Sequence, residues 1–532
     1  MALGEAGPWR DSSCCVGSEQ ACCEEGREVN EVERAEHESL GDYLQQALTP
    51  EQREGIGLIT FNHWSFAVGT VVETVLAARE LGSRVVVGFW ADNTPLPDVG
   101  WRSSRFLARL VNSATRDQQA QRALIKSGVP LSTFVDPPIR RWKSKGLPPI
   151  PDPPTRANIR RLTYHGTAMG PAILEMPPDD MPVREDHVWA RRWVAAAMRS
   201  YAWAYDQATA LIKQHDLGTV VVYNGRFTHD RAVAAAAHAL GVRVLYYDTG
   251  GYDTDFDLTE ATTHDWAHLQ VRMLKMYEDW DPKERDDLGG SWFESRRAHT
   301  DVNNQRYTGI QEQGRLEELP QSEQLVVFFS SSDDELVELD IDWKQYFGSQ
   351  EGALRQLAEA CRQHAGTALV VRTHPHMRLK PPQDLADWLA AVEAIAPDLH
   401  FGPESPVDSY ALMDRADVVF TYGSTSGVEA GYFGRPVAVM GPSAYDQLGC
   451  ARRITNAAEI AEAIKSPPEP NSTAAIAYGL MMQRRGFTYQ YQQHAGNDAL
   501  DLQGAVIAEA STTAQKASDA LRKLRIWWLT RA

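Results

Sequence analysis

From about residue 55 onwards the chain alternates short apolar runs with stretches of helical period. Gly57-Leu-Ile-Thr-Phe61 reads as a buried strand, Asn62-His-Trp-Ser65 as a loop, Ala67 to Leu81 as a helix, and Arg84-Val-Val-Val-Gly-Phe-Trp90 as a second strand. Strand, helix and strand joined by short loops predict a parallel sheet, whose strands are covered on both faces and so lack polar alternation. The pattern resumes with a long helix from Val188 to His215, the strand Thr219-Val-Val-Val-Tyr223, a helix over Asp230 to Leu240, and the strand Val242 to Tyr247. A second alternation follows, with strands at Leu325–Phe329, Ala368–Arg372, Asp417–Thr421 and Pro436–Met440. The expected fold class is α/β, with two Rossmann-like domains facing a cleft.

The interruptions divide the chain. Prolines crowd residues 130–182, including Leu147-Pro-Pro-Ile-Pro-Asp-Pro-Pro154, and block both helix continuation and strand pairing, so an irregular insertion is expected there. Residues 265–320 are charged and read as a helical connector. The expected domains are a flexible N-terminal tail at 1–50, an acceptor domain at 51–264, the connector, a donor domain at 321–470 and a helical C-terminal tail at 471–532. That tail ends in Leu521-Arg-Lys-Leu-Arg-Ile-Trp-Trp-Leu-Thr-Arg-Ala532, read either as a helix packing its tryptophans on the body or as a peripheral membrane contact.

Composition changes this picture little. The length of 532 residues suits two domains with extensions, and 43% hydrophobic with 23% charged residues is ordinary for a folded chain. A net charge of -18 argues against a nucleic-acid-binding face. Of six cysteines, Cys14-Cys15 and Cys22-Cys23 lack zinc-knuckle spacing, and Cys361 and Cys450 stand alone, so a reducing cytoplasm is expected. No signal-peptide core and no apolar run of membrane-spanning length occurs. The protein is expected in the cytoplasm or on the inner face of the membrane.

The candidate chemistry lies after the strands, where open parallel sheets hold ligands. One strand ends in Ser330-Ser331-Ser332, either a phosphate contact or a helix cap. Another ends in Arg372-Thr-His374-Pro, where the proline holds His374 extended, suited to donating to a leaving phosphate or simply satisfied within the loop. A third ends in Ser424-Thr425-Ser426 before a helix, whose free N–H groups favour an anion. Glu429, three residues on, either closes a capping box or accepts from a ribose. In the first domain, Asp248 is the candidate base, with an Asx turn before Gly250 as the alternative, and His63 competes with it. Asn224, Arg226 and His229 form a polar loop suited to an acceptor. The Asp-x-Asp triplets at 253–257 and 340–342 read as solvated, so no metal and no cofactor is expected.

The His-Pro strand end, the Ser-Thr-Ser loop, the helix start Gly427-Val-Glu429-Ala430, and Gly434-Arg-Pro436 together resemble bacterial GT-B glycosyltransferases, closest to capsule polysaccharide Kdo and sialyl-type transferases, over residues 57–465. The resemblance implies a nucleotide-sugar donor at His374 and Ser424–Ser426, a catalytic acid group from the first domain, and a glycan or lipid-linked glycan acceptor. Kdo transferases carry Glu-Asp-Gly where this chain has Asp248-Thr249-Gly250, so one of two acidic positions is matched. The alternatives are a nucleotide-sugar 2-epimerase, a glycerophosphotransferase and a non-catalytic scaffold of the same fold.

Overall fold

The computed structural model describes residues 39–61, 65–90, 124–126, 128–175, 186–252, 254–300, 307–332, 346–494, 500–502 and 505–507. Two six-stranded sheets organise them. In the first, Arg84–Phe89, Gly55–Thr60, Thr219–Tyr223 and Arg243–Thr249 lie side by side in parallel. Two antiparallel strands, Asp255–Thr259 and Phe487–Thr488, extend its far edge. The second sheet is wholly parallel, in the order Leu399–Phe401, Thr367–Arg372, Gln324–Phe329, Val418–Thr421, Val437–Val439, Arg452–Arg453. Its strand order reverses between Gln324–Phe329 and Val418–Thr421, the place where a doubly wound sheet leaves a crevice at its carboxyl edge.

The strands form where the sequence predicts them, because their apolar runs are buried on both faces. Val220, Val221 and Val222 in one sheet, and Val326, Val327 and Phe328 in the other, are essentially inaccessible. The helices Ser65–Glu80, Arg191–His215 and Thr228–Ala239 cover the first sheet, and Gln350–Gln363 and Pro382–Ile395 pack on the second. The two units are Rossmann-like domains facing a cleft, the GT-B arrangement.

Three expectations about the periphery are corrected. The first concerns the N-terminal tail. Helix Leu40–Ala47, capped by Ser39 Oγ accepting from the Asp42 amide at 3.1 Å, buries Leu40, Tyr43 and Leu44 in the first-domain core. The ordered domain therefore starts before residue 51. Second, the proline-rich insertion is neither irregular throughout nor peripheral: it forms the short helices Arg156–Arg160 and Gly170–Leu174 and a hairpin of Thr163–Tyr164 with Thr167–Ala168. Ile159, Met169 and Ile173 from it are fully buried against helix Arg191–His215.

Third, the C-terminal segment is no appended tail. Helix Ser472–Arg484 packs on the connector helix Pro282–Arg297 so closely that a Cβ on Gly479 would stand 2.1 Å from the Gly289 carbonyl oxygen. The chain then crosses back to the first domain, where Phe487–Thr488 join its sheet and Phe487 and Tyr489 enter its core. Helical hydrophobic period could not reveal a crossing made by residues that pair only with a distant strand. The residues from 508 on, with the tryptophan pair, lie outside the described residues.

Candidate functional site

The three strand-end loops predicted for the second domain are brought together by hydrogen bonds at the point where strand order reverses. Ser330 Oγ accepts the His374 amide at 2.8 Å. Ser331 Oγ donates to the Tyr422 carbonyl at 2.6 Å. Ser332 Oγ and His376 Nδ1 lie 3.3 Å apart. Gly423 permits the third loop's turn: its φ of 88° is left-handed, and a Cβ there would lie 2.2 Å from the Pro442 carbonyl oxygen. The Tyr445 hydroxyl then fixes the Ser424 carbonyl at 2.6 Å.

These contacts sort the predicted donor-binding residues into a floor and a face. Ser330, Ser331 and Ser424 are buried and form the floor; Ser332, His374, Ser426 and the exposed Thr425 form the face. His374 Nδ1 accepts the His376 amide at 3.2 Å. That contact assigns the proton of a neutral ring to Nε2, which is then a donor. The Ser424 hydroxyl contacts the Ser426 hydroxyl at 3.3 Å, and Thr425 is the helix N-cap without a side-chain bond, so the Ser426–Glu429 capping box, one of the two readings of Glu429, does not form.

Two donor-site expectations are corrected. Arg372 is 1% exposed, and its guanidinium turns into the domain to bond the carbonyls of Gly402 and Ser405, the latter at 3.1 Å. Burial pushes its pKa down to about 10. It braces the loop before Val407 and faces no ligand. Glu429 Oε1 receives Arg296 Nε at 2.9 Å, with the carboxylate 6% and the arginine 19% exposed. Its carboxylate thereby ties the second domain to the connector and is engaged there rather than left open to a ribose. Neither partner is visible from sequence, because 133 residues separate Arg296 from Glu429.

In the first domain Asp248 and Asn224 end neighbouring strands and are bonded to each other, Asn224 Nδ2 to Asp248 Oδ2 at 2.5 Å. The Thr249 amide donates to Asp248 Oδ1 at 2.8 Å. Burial raises the Asp248 pKa, while that amide, Arg485, Asn224 and Arg226 pull it down. Arg485 arrives from the crossing segment, its carbonyl accepting the Gly251 amide at 3.0 Å. Arg226 is ion-paired with Glu175 and lies 3.4 Å from His264 Nε2. His229 is corrected: it is fully buried, stacked on Phe61 with ring centroids 4.8 Å apart, and burial drives its pKa down to about 3. It is a neutral core residue with no access to an acceptor. His63 lies outside the described residues.

Between the domains lies a cavity of about 620 Å³. Arg226, Arg231 and His264 line it from the first domain, Trp266 from the start of the connector, and Ser443 and Arg453 from the second domain. Burial, then Arg226 and Arg485, hold the His264 pKa down to about 3, so its ring is neutral.

The sequence reading missed His376, Gln350, His264 and Arg485. A second histidine two residues after His374 was the available signal for His376. Gln350, whose Oε1 accepts the Ser331 amide at 2.6 Å, leaves no sequence signature. Among the Asp-x-Asp positions, Asp257 is held by Arg272 through two bonds of 2.7 and 2.9 Å, and Asp255 accepts from Thr488 Oγ1 at 2.8 Å; Asp253, Asp340 and Asp342 lie outside the described residues. Among the described residues Cys361 and Cys450 are free and buried, and no helix is long and apolar enough to cross a membrane.

Comparison with known proteins adds the following. The chain is 14% identical to the KpsC β-Kdo 2,4 transferase of Thermosulfurimonas dismutans, covering 49% of this chain and 79% of that one at a TM-score of 0.34. It is 9% identical to the UDP-GlcNAc 2-epimerase of Neisseria meningitidis solved with UDP-GlcNAc, covering 88% and 99% at a TM-score of 0.26. It is 12% identical to the kitacinnamycin glycotransferase, covering 81% and 95% at 0.25. At these scores the likenesses are loose. No curated protein matches the chain. Residues 297–489, which hold the second sheet and its three joined loops, match the family model of capsule polysaccharide biosynthesis proteins, so the resemblance read from the sequence is found in that part of the chain.

Proposed function

We propose that the protein transfers a glycosyl group from a nucleotide-activated sugar on the second domain to a hydroxyl of a glycan acceptor held against the first, in surface or capsule polysaccharide synthesis. The observation that carries this reading is the joining of the Ser330–Ser332, His374–His376 and Tyr422–Ser426 loops at the strand-order reversal. Together they offer an imidazole N–H and several hydroxyls, with Ser332, His374, Thr425 and Ser426 forming the open face.

The donor phosphates lie on this face. His374 Nε2–H donates to the bridging phosphate oxygen as the bond from the anomeric carbon to that oxygen breaks. Asp248 accepts the proton of the acceptor hydroxyl as its oxygen bonds the anomeric carbon. Its raised pKa makes it a stronger base than an exposed carboxylate, and Asn224 fixes the carboxyl plane. The interdomain cavity beside Arg226 and His264 receives the acceptor. The transfer needs no metal in this scheme, and the protein works in the cytoplasm.

A thermal-shift screen against CMP, CDP, UDP, GDP and ADP, repeated with His374→Ala and Ser426→Ala, tests the donor site. One nucleotide is expected to raise the melting temperature of the wild type and not of the variants. Stabilisation by no nucleotide, or equal stabilisation of the variants, removes the reading. Product analysis with donor alone separates transfer from epimerisation, since an epimerised nucleotide sugar without acceptor would make the protein an isomerase.

A further inference from the structure

A second cavity, of about 380 Å³, shares no lining residue with the candidate site or the interdomain cavity. Its volume falls within the roughly 300–1,000 Å³ usual for small-molecule sites. It lies between the antiparallel edge of the first sheet, helix Leu40–Ala47, the connector helix Trp266–Asp279 and the chain that crosses back after Arg484. The connector helix turns His268, Arg272, Lys275 and Met276 towards it, residues spaced to fall on one helical face.

The walls are mostly apolar and aromatic. Trp280 and Phe487 are buried, Leu258 and Met276 lie beside them, and the Tyr43 and Phe487 rings are 5.5 Å apart. The charges on the walls are matched except for one. Arg272 is held by Asp257 through two bonds, and Lys275 by Asp279 at 2.9 Å. Glu260 is ion-paired with Arg243. Arg484 makes no hydrogen bond and no ion pair among the described residues. Its Nε is buried without an acceptor, and its guanidinium stands 6.0 Å from the Tyr252 ring. Arg484 is half-buried, and a guanidinium at the cavity wall with a buried Nε and no carboxylate beside it favours an anion from outside.

We propose that this cavity binds a small monoanion with a flat apolar body, its carboxylate or sulfonate on Arg484 and its body against Trp280, Met276 and Phe487. Such a ligand bridges the connector and the crossing segment, the two passages of chain between the domains. It is therefore placed to act on their closure, separately from donor or acceptor binding.

The probe is an anilinonaphthalene sulfonate dye, read by fluorescence and compared with the same dye lacking its sulfonate. The wild type is expected to bind one equivalent of the sulfonate dye saturably, and more tightly than the uncharged dye. Arg484→Met should weaken the sulfonate dye roughly tenfold or more, the loss of one charge-assisted contact, and leave the uncharged dye unchanged. Met276→Trp, which fills the cavity without touching the charge, should weaken both dyes. Equal binding of the two dyes by the wild type overturns the proposal, as does unchanged sulfonate-dye binding in either folded variant.

Discussion

Asn224 holds Asp248 through a hydrogen bond of 2.5 Å from a backbone in the left-handed region, at φ 48°. Asparagine tolerates that conformation better than other side chains with a Cβ, and its amide reaches across to the neighbouring strand end. The next residue, Gly225, is also left-handed, and a Cβ there would meet the Tyr246 ring at 2.5 Å. The local backbone therefore exists to aim Asn224 at the carboxylate. A hydrogen bond to the ionised form lowers a carboxyl pKa, so Asn224→Ala should raise that of Asp248. The expected result is a turnover loss of about tenfold, an acid limb of the pH–rate profile moved to higher pH, and an unchanged nucleotide-induced thermal shift. An acid limb that stays in place would remove Asp248 from the proton-accepting role.

The ion pair between Arg296 and Glu429 joins the connector to the helix Ser426–Tyr432 that follows the third loop. Both groups are mostly buried, so removing one leaves the other charge without its partner. Glu429→Ala should cost roughly 3 kcal/mol of stability, measured by urea unfolding. Glu429→Gln, which retains an acceptor for the Arg296 Nε–H, should cost less. If Glu429→Ala keeps full stability and loses nucleotide binding instead, the residue faces a ribose as the sequence suggested.

His229 offers a clean contrast between a core role and an acceptor contact. Its pKa in the folded chain, about 3, lies below the ordinary 6.5, so the folded state disfavours the protonated ring. Its contribution to stability is present above pH 6.5 and is lost as pH falls from there towards 3. His229→Phe should move the acid-unfolding midpoint to lower pH, and transfer rates at pH 7.5 should stay within a few-fold of the wild type. A large loss of activity in a variant with an unchanged melting temperature would return His229 to the acceptor site.

The α/β alternation was legible because parallel strands are short, apolar and buried on both faces: Thr219–Tyr223 is predicted and found with the same bounds. The meeting of the three serine- and histidine-bearing loops was legible too, since parallel strands deliver their carboxyl ends to one edge. Side-chain direction was not. Arg372 and His374 are two residues apart, yet the first turns inward to the Gly402 and Ser405 carbonyls and the second stays at the surface of the loop. Pairings across the chain, such as Arg296 with Glu429 or Gln350 with Ser331, are set by tertiary packing that no local pattern encodes.

The crossing segment carries a titrating contact of its own. Glu73, on helix Ser65–Glu80, accepts the amides of Gln490 and Tyr491 on one oxygen, at 2.8 and 2.6 Å. Close by, the Tyr489 hydroxyl donates to the Phe66 carbonyl at 3.1 Å. Burial pushes the Glu73 pKa from 4.5 up to about 7, against the pull of the two amides. Because the folded pKa is the higher one, the stability Glu73 contributes is complete below pH 4.5 and is lost as pH rises through 7. The loss should be on the order of 3 kcal/mol across that window. Glu73→Gln keeps an oxygen for both amides and removes the charge. It should match the wild type in urea midpoint at pH 5 and exceed it at pH 8. A gap of equal size at both pH values would show that Glu73 does not titrate between them, and that its grip on residues 490 and 491 is independent of charge.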